Sequence, residues 1–184
     1  MSSDTPLPPV VQSPAPETID SSDFLVELLV YNGAPFKDHW AYFIHLSRDT
    51  HSGVLIEAAG DPLNGFRLGI HRGHDISETS GNNLPTQRVP LQSVGRGVID
   101  EKALSRSGDF EADQRPTCAF EESVCKVKAP GRSLRSHGDT TGTAPGRISQ
   151  NNCQSWIIES ADQLVKDGIF SSEVALYLQS IHQG

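Results

Sequence analysis

Residues 24–31 read Phe-Leu-Val-Glu-Leu-Leu-Val-Tyr, an apolar run interrupted only by Glu27. A run of this length, nearly continuous in large and branched side chains, predicts a strand covered on both faces. Asn32-Gly33-Ala34-Pro35 ends it. Two further aromatic or β-branched runs, 39–46 and 53–59, flank the polar segment 47–52 and predict an antiparallel hairpin with a longer loop. Residues 66–70 and 88–92 are weaker strand candidates, and Pro90 places the second at a sheet edge because proline cannot donate to a ladder. Residues 122–128 alternate around Val124, Cys125 and Val127 and predict a late strand that stops at Pro130-Gly131.

The period changes after residue 150. Trp156, Ile157, Ala161, Leu164 and Val165 recur at helical spacing behind the capping residues Asn151-Asn152, and Gly168 closes the helix. A second helix starts at Ser171 or Ser172, with Val174, Leu176, Tyr177, Leu178 and Ile181 as its expected buried face. Strands followed by helices predict an α+β fold, an antiparallel sheet packed against C-terminal helices. Residues 1–22 carry five prolines and little large apolar surface, so a disordered tail is expected there, with a single α+β domain over 23–184. The Gly-, Ser-, Thr- and Arg-rich segment 131–149 has no core-forming content and predicts a mobile loop.

Composition narrows the function classes. Hydrophobic residues make up 36% of 184, enough for one domain with a core. A net charge of -8 argues against non-specific nucleic-acid binding, which clusters of Lys and Arg drive through counterion release. No apolar stretch is long enough for a membrane span, and the N-terminus lacks the pattern of a secretory or transit peptide, so the cytoplasm is the expected compartment. Three irregularly spaced cysteines, Cys118, Cys125 and Cys153, are read as free thiols. Phosphate-cradling, nucleophile-elbow and dinucleotide motifs are lacking.

Cys153 falls in the first turn of the expected helix, where unpaired backbone N–H groups and the positive dipole end favour a thiolate. The same groups can stabilise an oxyanion formed when sulfur attacks a carbonyl. A thiolate needs a base, and His39 stands at the start of a strand just after a turn, where side chains reach a cleft.

The segment His39-Trp40-Ala41-Tyr42 entering a hairpin, with Asn152-Cys153 opening a helix far later, resembles the permuted papain-like group. That group includes the lecithin:retinol acyltransferase-like lipid enzymes and, more distantly, the PPPDE-type deubiquitinating peptidases. The pattern also resembles uncharacterised fungal families with a His-Trp strand and a late Cys-x-x-Trp helix. The resemblance implies Cys153 as nucleophile, His39 as base and then acid, and Glu57 as the group orienting the imidazole from the next strand. It places Trp40, Asn152 and Trp156 beside the substrate. The chain differs from the lipid acyltransferases in carrying Glu57 where they usually have histidine, and Gln154-Ser155 where they have Glu-His.

Two functions are therefore expected in competition. One is a cysteine-dependent hydrolase or acyl/peptidyl transferase acting on an amide, ester or thioester of a small-molecule or peptide substrate, with no cofactor. The other is a non-catalytic binding or accessory protein of the same fold, serving a fungal metabolic pathway, with Cys153 merely packed as a small hydrophobe. A solvent-facing Glu57 belongs to the second. His71 and His74 in His-Arg-Gly-His, with Cys118 and Cys125, lack the spacing of a zinc knuckle, so no metal is expected. His45 and His51 flank the hairpin loop and are expected to be exposed. Lys126, Lys128, Arg132, Arg135 and Arg147 are read as solvated charge.

Overall fold

The computed structural model describes residues 23–46, 48–78, 84–104, 115–132 and 151–182. The expected tail over 1–22 and nearly all of the expected loop over 131–149 lie outside these residues. The fold is α+β. Strands β1 (Phe24–Tyr31), β2 (His39–Leu46), β3 (Ser52–Asp61), β4 (Gly65–Asp75) and β5 (Gln87–Val94) form one antiparallel sheet in the order β4-β3-β2-β1-β5. The single turn α1 (Glu101–Leu104) and the helices α2 (Ala119–Cys125), α3 (Cys153–Lys166) and α4 (Ser172–Ser180) follow.

The alternation of the strands decides what each face does. Val26, Leu28 and Val30 of β1, Trp40, Tyr42 and Ile44 of β2, and Val54, Ile56 and Ala58 of β3 meet Trp156, Ile157, Ala161 and Leu164 of α3 and Val174 and Leu178 of α4 in the main core. Leu29, Ala41, Phe43 and Leu55 form a second cluster with Ile76 on the opposite face. The doubly buried β1 is thus an interior strand, as its continuous apolar run requires. β5 is an edge strand. Pro90 lies opposite Glu27, beside a register shift in the ladder to β1, where a missing N–H costs no pairing.

Several expectations are corrected. Residues 122–128 are not a strand: the segment 119–125 is α2, with Phe120, Glu121, Ser123 and Val124 buried at helical spacing. Its Glu121 carboxylate pairs with the buried guanidinium of Arg72 on β4 and accepts from the Thr117 backbone N–H at 2.7 Å. That contact ties the helix to the sheet, and a seven-residue window cannot reveal it. Arg72 faces α2 by ordinary alternation from Ile70, and the extra residue that shifts the β3–β4 register, Gly73 with φ +65°, comes after it. In α4 the expected core residue Leu176 is exposed, and Ala175 takes its place beside Val174 and Leu178. His45, expected at the surface, is fully buried on the face opposite the helices. Its Nδ1 donates to the Leu46 carbonyl at 2.7 Å and its Nε2 lies 3.5 Å from Glu27.

Candidate active site

α3 begins where the sequence places it. Asn152 accepts from the N–H groups of Gln154 and Ser155 at 2.9 and 3.1 Å, and the Ser155 hydroxyl accepts from the Asn152 N–H at 2.8 Å, a reciprocal capping box. Cys153 is the first helical residue. The cap consumes the next two backbone donors and leaves the Cys153 N–H as the first-turn donor it does not use. At the other end Gly168, with φ +73°, donates to the Val165 carbonyl while Ile169 donates to that of Leu164, closing α3 in a Schellman motif.

The loop before β2 brings His39 to that helix start. Asp38 accepts from the Gly33 N–H at 3.1 Å through its side chain, and its backbone carbonyl accepts from the buried Gln154 amide at 2.8 Å. A β-carbon on Gly33 would lie 1.9 Å from the Lys37 carbonyl oxygen, so this close return of the chain needs glycine. The Cys153 sulfur also approaches the Asp38 carbonyl, at 3.9 Å. The start of α3 and the start of β2 are therefore stitched together at one carbonyl.

His39 opens β2, and its Nε2 lies 2.6 Å from Glu57 Oε2 on β3. The pairing of Ala41 with Glu57 puts the two side chains on one face, one diagonal step apart. Being the terminal residue of its strand, His39 also reaches across the sheet end to Cys153. Burial works to lower the His39 pKa, but interactions with the Cys153 and Glu57 side chains outweigh it and push it up to about 10. Burial likewise works to raise the Glu57 pKa, and hydrogen bonds from His39 and His71 hold it down at about 2. With Nε2 on the carboxylate, Nδ1 is the ring nitrogen left for the sulfur.

The structure brings Cys153, His39 and Glu57 together, and Glu57 is paired instead of facing solvent. It does not bring Trp40 and Trp156 to a surface: Trp40 is nearly buried, Trp156 is fully buried, and the indole of Trp156 donates to the Val127 carbonyl at 3.1 Å. The Asn152 side chain serves as the helix cap. His71 joins the cluster unannounced, its Nε2 lying 3.1 Å from Glu57 Oε1. The signal for it was the tight turn between Asp61 and Gly65. Counting back from that pair puts Leu55 opposite His71, and hence Glu57 and His71 on one face.

Cys153 is 6% exposed, while the side chains of His39 and His71 are 32% and 30% exposed, so solvent reaches the imidazoles more freely than the sulfur. All three cysteines are free, and burial pushes the thiols of Cys118 and Cys125 up. A shallow depression of about 480 Å³ lined by Arg67, Leu68, Cys125, Val127, Lys128 and Ala129 shares no residue with the cluster. Among the described residues no group of three or more His, Cys, Asp or Glu is placed to hold a metal ion, and no helix is long and apolar enough to cross a membrane.

No curated protein and no solved structure matches the chain. A family of unknown function, DUF6540, matches residues 26–171, a stretch that includes His39, Glu57, His71 and Cys153. The chain therefore belongs to the DUF6540 family.

Proposed function

We propose that the protein is a cysteine-dependent hydrolase or acyl/peptidyl transferase of the permuted papain-like kind, acting on an amide, ester or thioester. The observation that carries this reading is the imidazole of His39, held between the carboxylate of Glu57 and the side chain of Cys153, the first residue of a capped helix. A packed structural cysteine needs neither a histidine nor a carboxylate behind it.

The chemistry follows from the geometry. Glu57 accepts from His39 Nε2–H and fixes the tautomer and plane of the ring, leaving the other nitrogen to take the thiol proton. The Cys153 thiolate attacks the carbonyl carbon, the C–S bond forms, and the oxygen becomes an oxyanion next to the unused Cys153 N–H. Collapse expels the amine, alkoxide or thiolate, which takes the proton from His39. Water or an amine then gives its proton to His39 as it attacks the acyl-enzyme, and the thiolate departs.

The 6% exposure of Cys153 favours the rival reading, a binding or accessory protein in which the thiol is only packed. Acyl and peptidyl electrophiles followed by intact-mass analysis and peptide mapping separate the two. Stoichiometric acylation of Cys153, abolished in Cys153→Ser and reduced at least about 100-fold in His39→Ala, is expected of the enzyme. Absence of a Cys153 adduct with every electrophile class, in protein whose fold is intact, contradicts it.

A further inference from the structure

We infer that His71 is a positioning residue for His39, acting through Glu57: the two carboxylate oxygens are divided between two imidazoles, and His71 holds the one that His39 does not use. This deepens the thiol reading above and rests on it.

Glu57 Oε2 faces His39 Nε2 at 2.6 Å and Oε1 faces His71 Nε2 at 3.1 Å. A glutamate on a strand has three side-chain torsions, and a single hydrogen bond to one oxygen leaves the carboxylate free to swing about it. A second donor on the other oxygen fixes its plane. His71 comes from β4 and His39 from β2, so Glu57 on the intervening β3 is gripped from both sides along one face of the sheet. The carboxylate is only 17% exposed, so little water is available to take over either bond.

Two effects of His71 oppose each other. As a donor it withdraws electron density from the carboxylate and weakens the bond to His39; as a clamp it keeps Oε2 aimed at His39. The clamp prevails, because the longer bond from His71, at 3.1 Å, perturbs a carboxylate already held by His39 at 2.6 Å only slightly, whereas freeing three torsions costs the His39 bond its geometry. The other titratable groups around the cluster are Tyr31 on β1, whose ring lies 5.8 Å from that of His39, and His74 on β4. Burial and the charge of Glu57 both raise the Tyr31 pKa, to about 12, and Arg88 works to lower it. Tyr31 therefore stays neutral across the range that matters here.

The test is ring-resonance NMR titration of His39 in the full chain, assigned with a His39→Gln variant, in wild type, His71→Phe and His71→Gln. Glutamine offers an amide donor at a similar reach and carries no titrating group. In wild type the alkaline midpoint of His39 is expected near 10. His71→Phe should lower it by about one unit, and His71→Gln should restore most of that shift. An unchanged or raised midpoint in His71→Phe overturns the proposal, as does a His71→Gln protein that titrates like His71→Phe. A structural role alone would disturb folding without distinguishing the two variants in this way. The titration reads only the coupling between imidazole and carboxylate, whereas acyl capture by Cys153 reads nucleophilicity. An unshifted midpoint with capture intact would therefore sink the His71 role alone, and a shift without capture would sink the thiol chemistry.

Discussion

Glu57→Gln keeps the size and acceptor oxygen of the side chain and removes its charge. His39 owes its raised pKa to the side chains of Cys153 and Glu57 acting against burial, so the variant should titrate at markedly lower pH, as ring NMR would show. An unchanged midpoint would mean that Glu57 does not hold the proton. The same shifts predict how stability follows pH. The His39 pKa in the folded protein lies near 10, above its ordinary 6.5, so its contribution is full below 6.5 and is lost as pH rises through about 10. Glu57 lies near 2, below its ordinary 4.5, so its contribution is full above 4.5 and is lost as pH falls through about 2. The pair stabilises most between 4.5 and 6.5. Urea unfolding of wild type and His39→Gln should therefore show a gap that narrows from about pH 5.5 to about pH 10. A constant gap would contradict the assigned ion pair.

At the scale of elements, the helix start and its anchoring carry the site. Asn152→Ala removes the acceptor of two backbone N–H groups right beside Cys153, and should cost about 1 kcal/mol in chemical denaturation. Gly33→Ala should be worse for the site than for the core, since its β-carbon meets the Lys37 carbonyl in the loop that delivers Asp38 and His39. Thermal unfolding together with His39 titration would show the two effects side by side. Glu121→Ala leaves the Arg72 guanidinium buried without its carboxylate and should destabilise by about 3 to 5 kcal/mol. A loss below about 1 kcal/mol would show that this pair does not pin α2 to the sheet. The legible elements were those whose pattern was long. β1, β2 and β3 announced themselves by long, largely apolar runs, and α3 by a cap, a 3.6-residue period and a closing glycine. α2 was misread because alternation around Val124, Cys125 and Val127 suits a strand as well as a short helix, and Glu121 gains its partner only in three dimensions. Leu176 misled for a related reason: α4 packs through Val174, Ala175 and Leu178, and its orientation on α3 is settled only in three dimensions.

For the molecule as a whole, the sheet carries the main core on its helix-covered face and a smaller apolar cluster with the Glu57 ion pairs on the other, and His39 and Cys153 meet at the sheet end. His39 looks along the face opposite the helices towards Glu57 and His71, yet its place at the start of β2 lets it reach the helix that carries Cys153. The positions of Cys153 at a helix start and His39 at a strand start were legible because such ends are visible in one dimension, and Glu57 followed from the hairpin that pairs β2 with β3. Sequence reasoning missed His71, whose place depends on the β3–β4 register, and it drew Trp40 and Trp156 to the substrate when the same aromatic bulk fills the core. Cys118 and Cys125, with thiols pushed up by burial, supply internal controls for the central claim. The most direct measurement is the pH dependence of iodoacetamide alkylation at each of the three cysteines, resolved by peptide mapping of native protein. The account predicts that Cys153 is alkylated selectively near neutral pH, where burial keeps Cys118 and Cys125 as thiols, and that His39→Ala abolishes this selectivity. Three cysteines with one common alkaline profile, or a Cys153 that stays unlabelled until the protein unfolds, would contradict it.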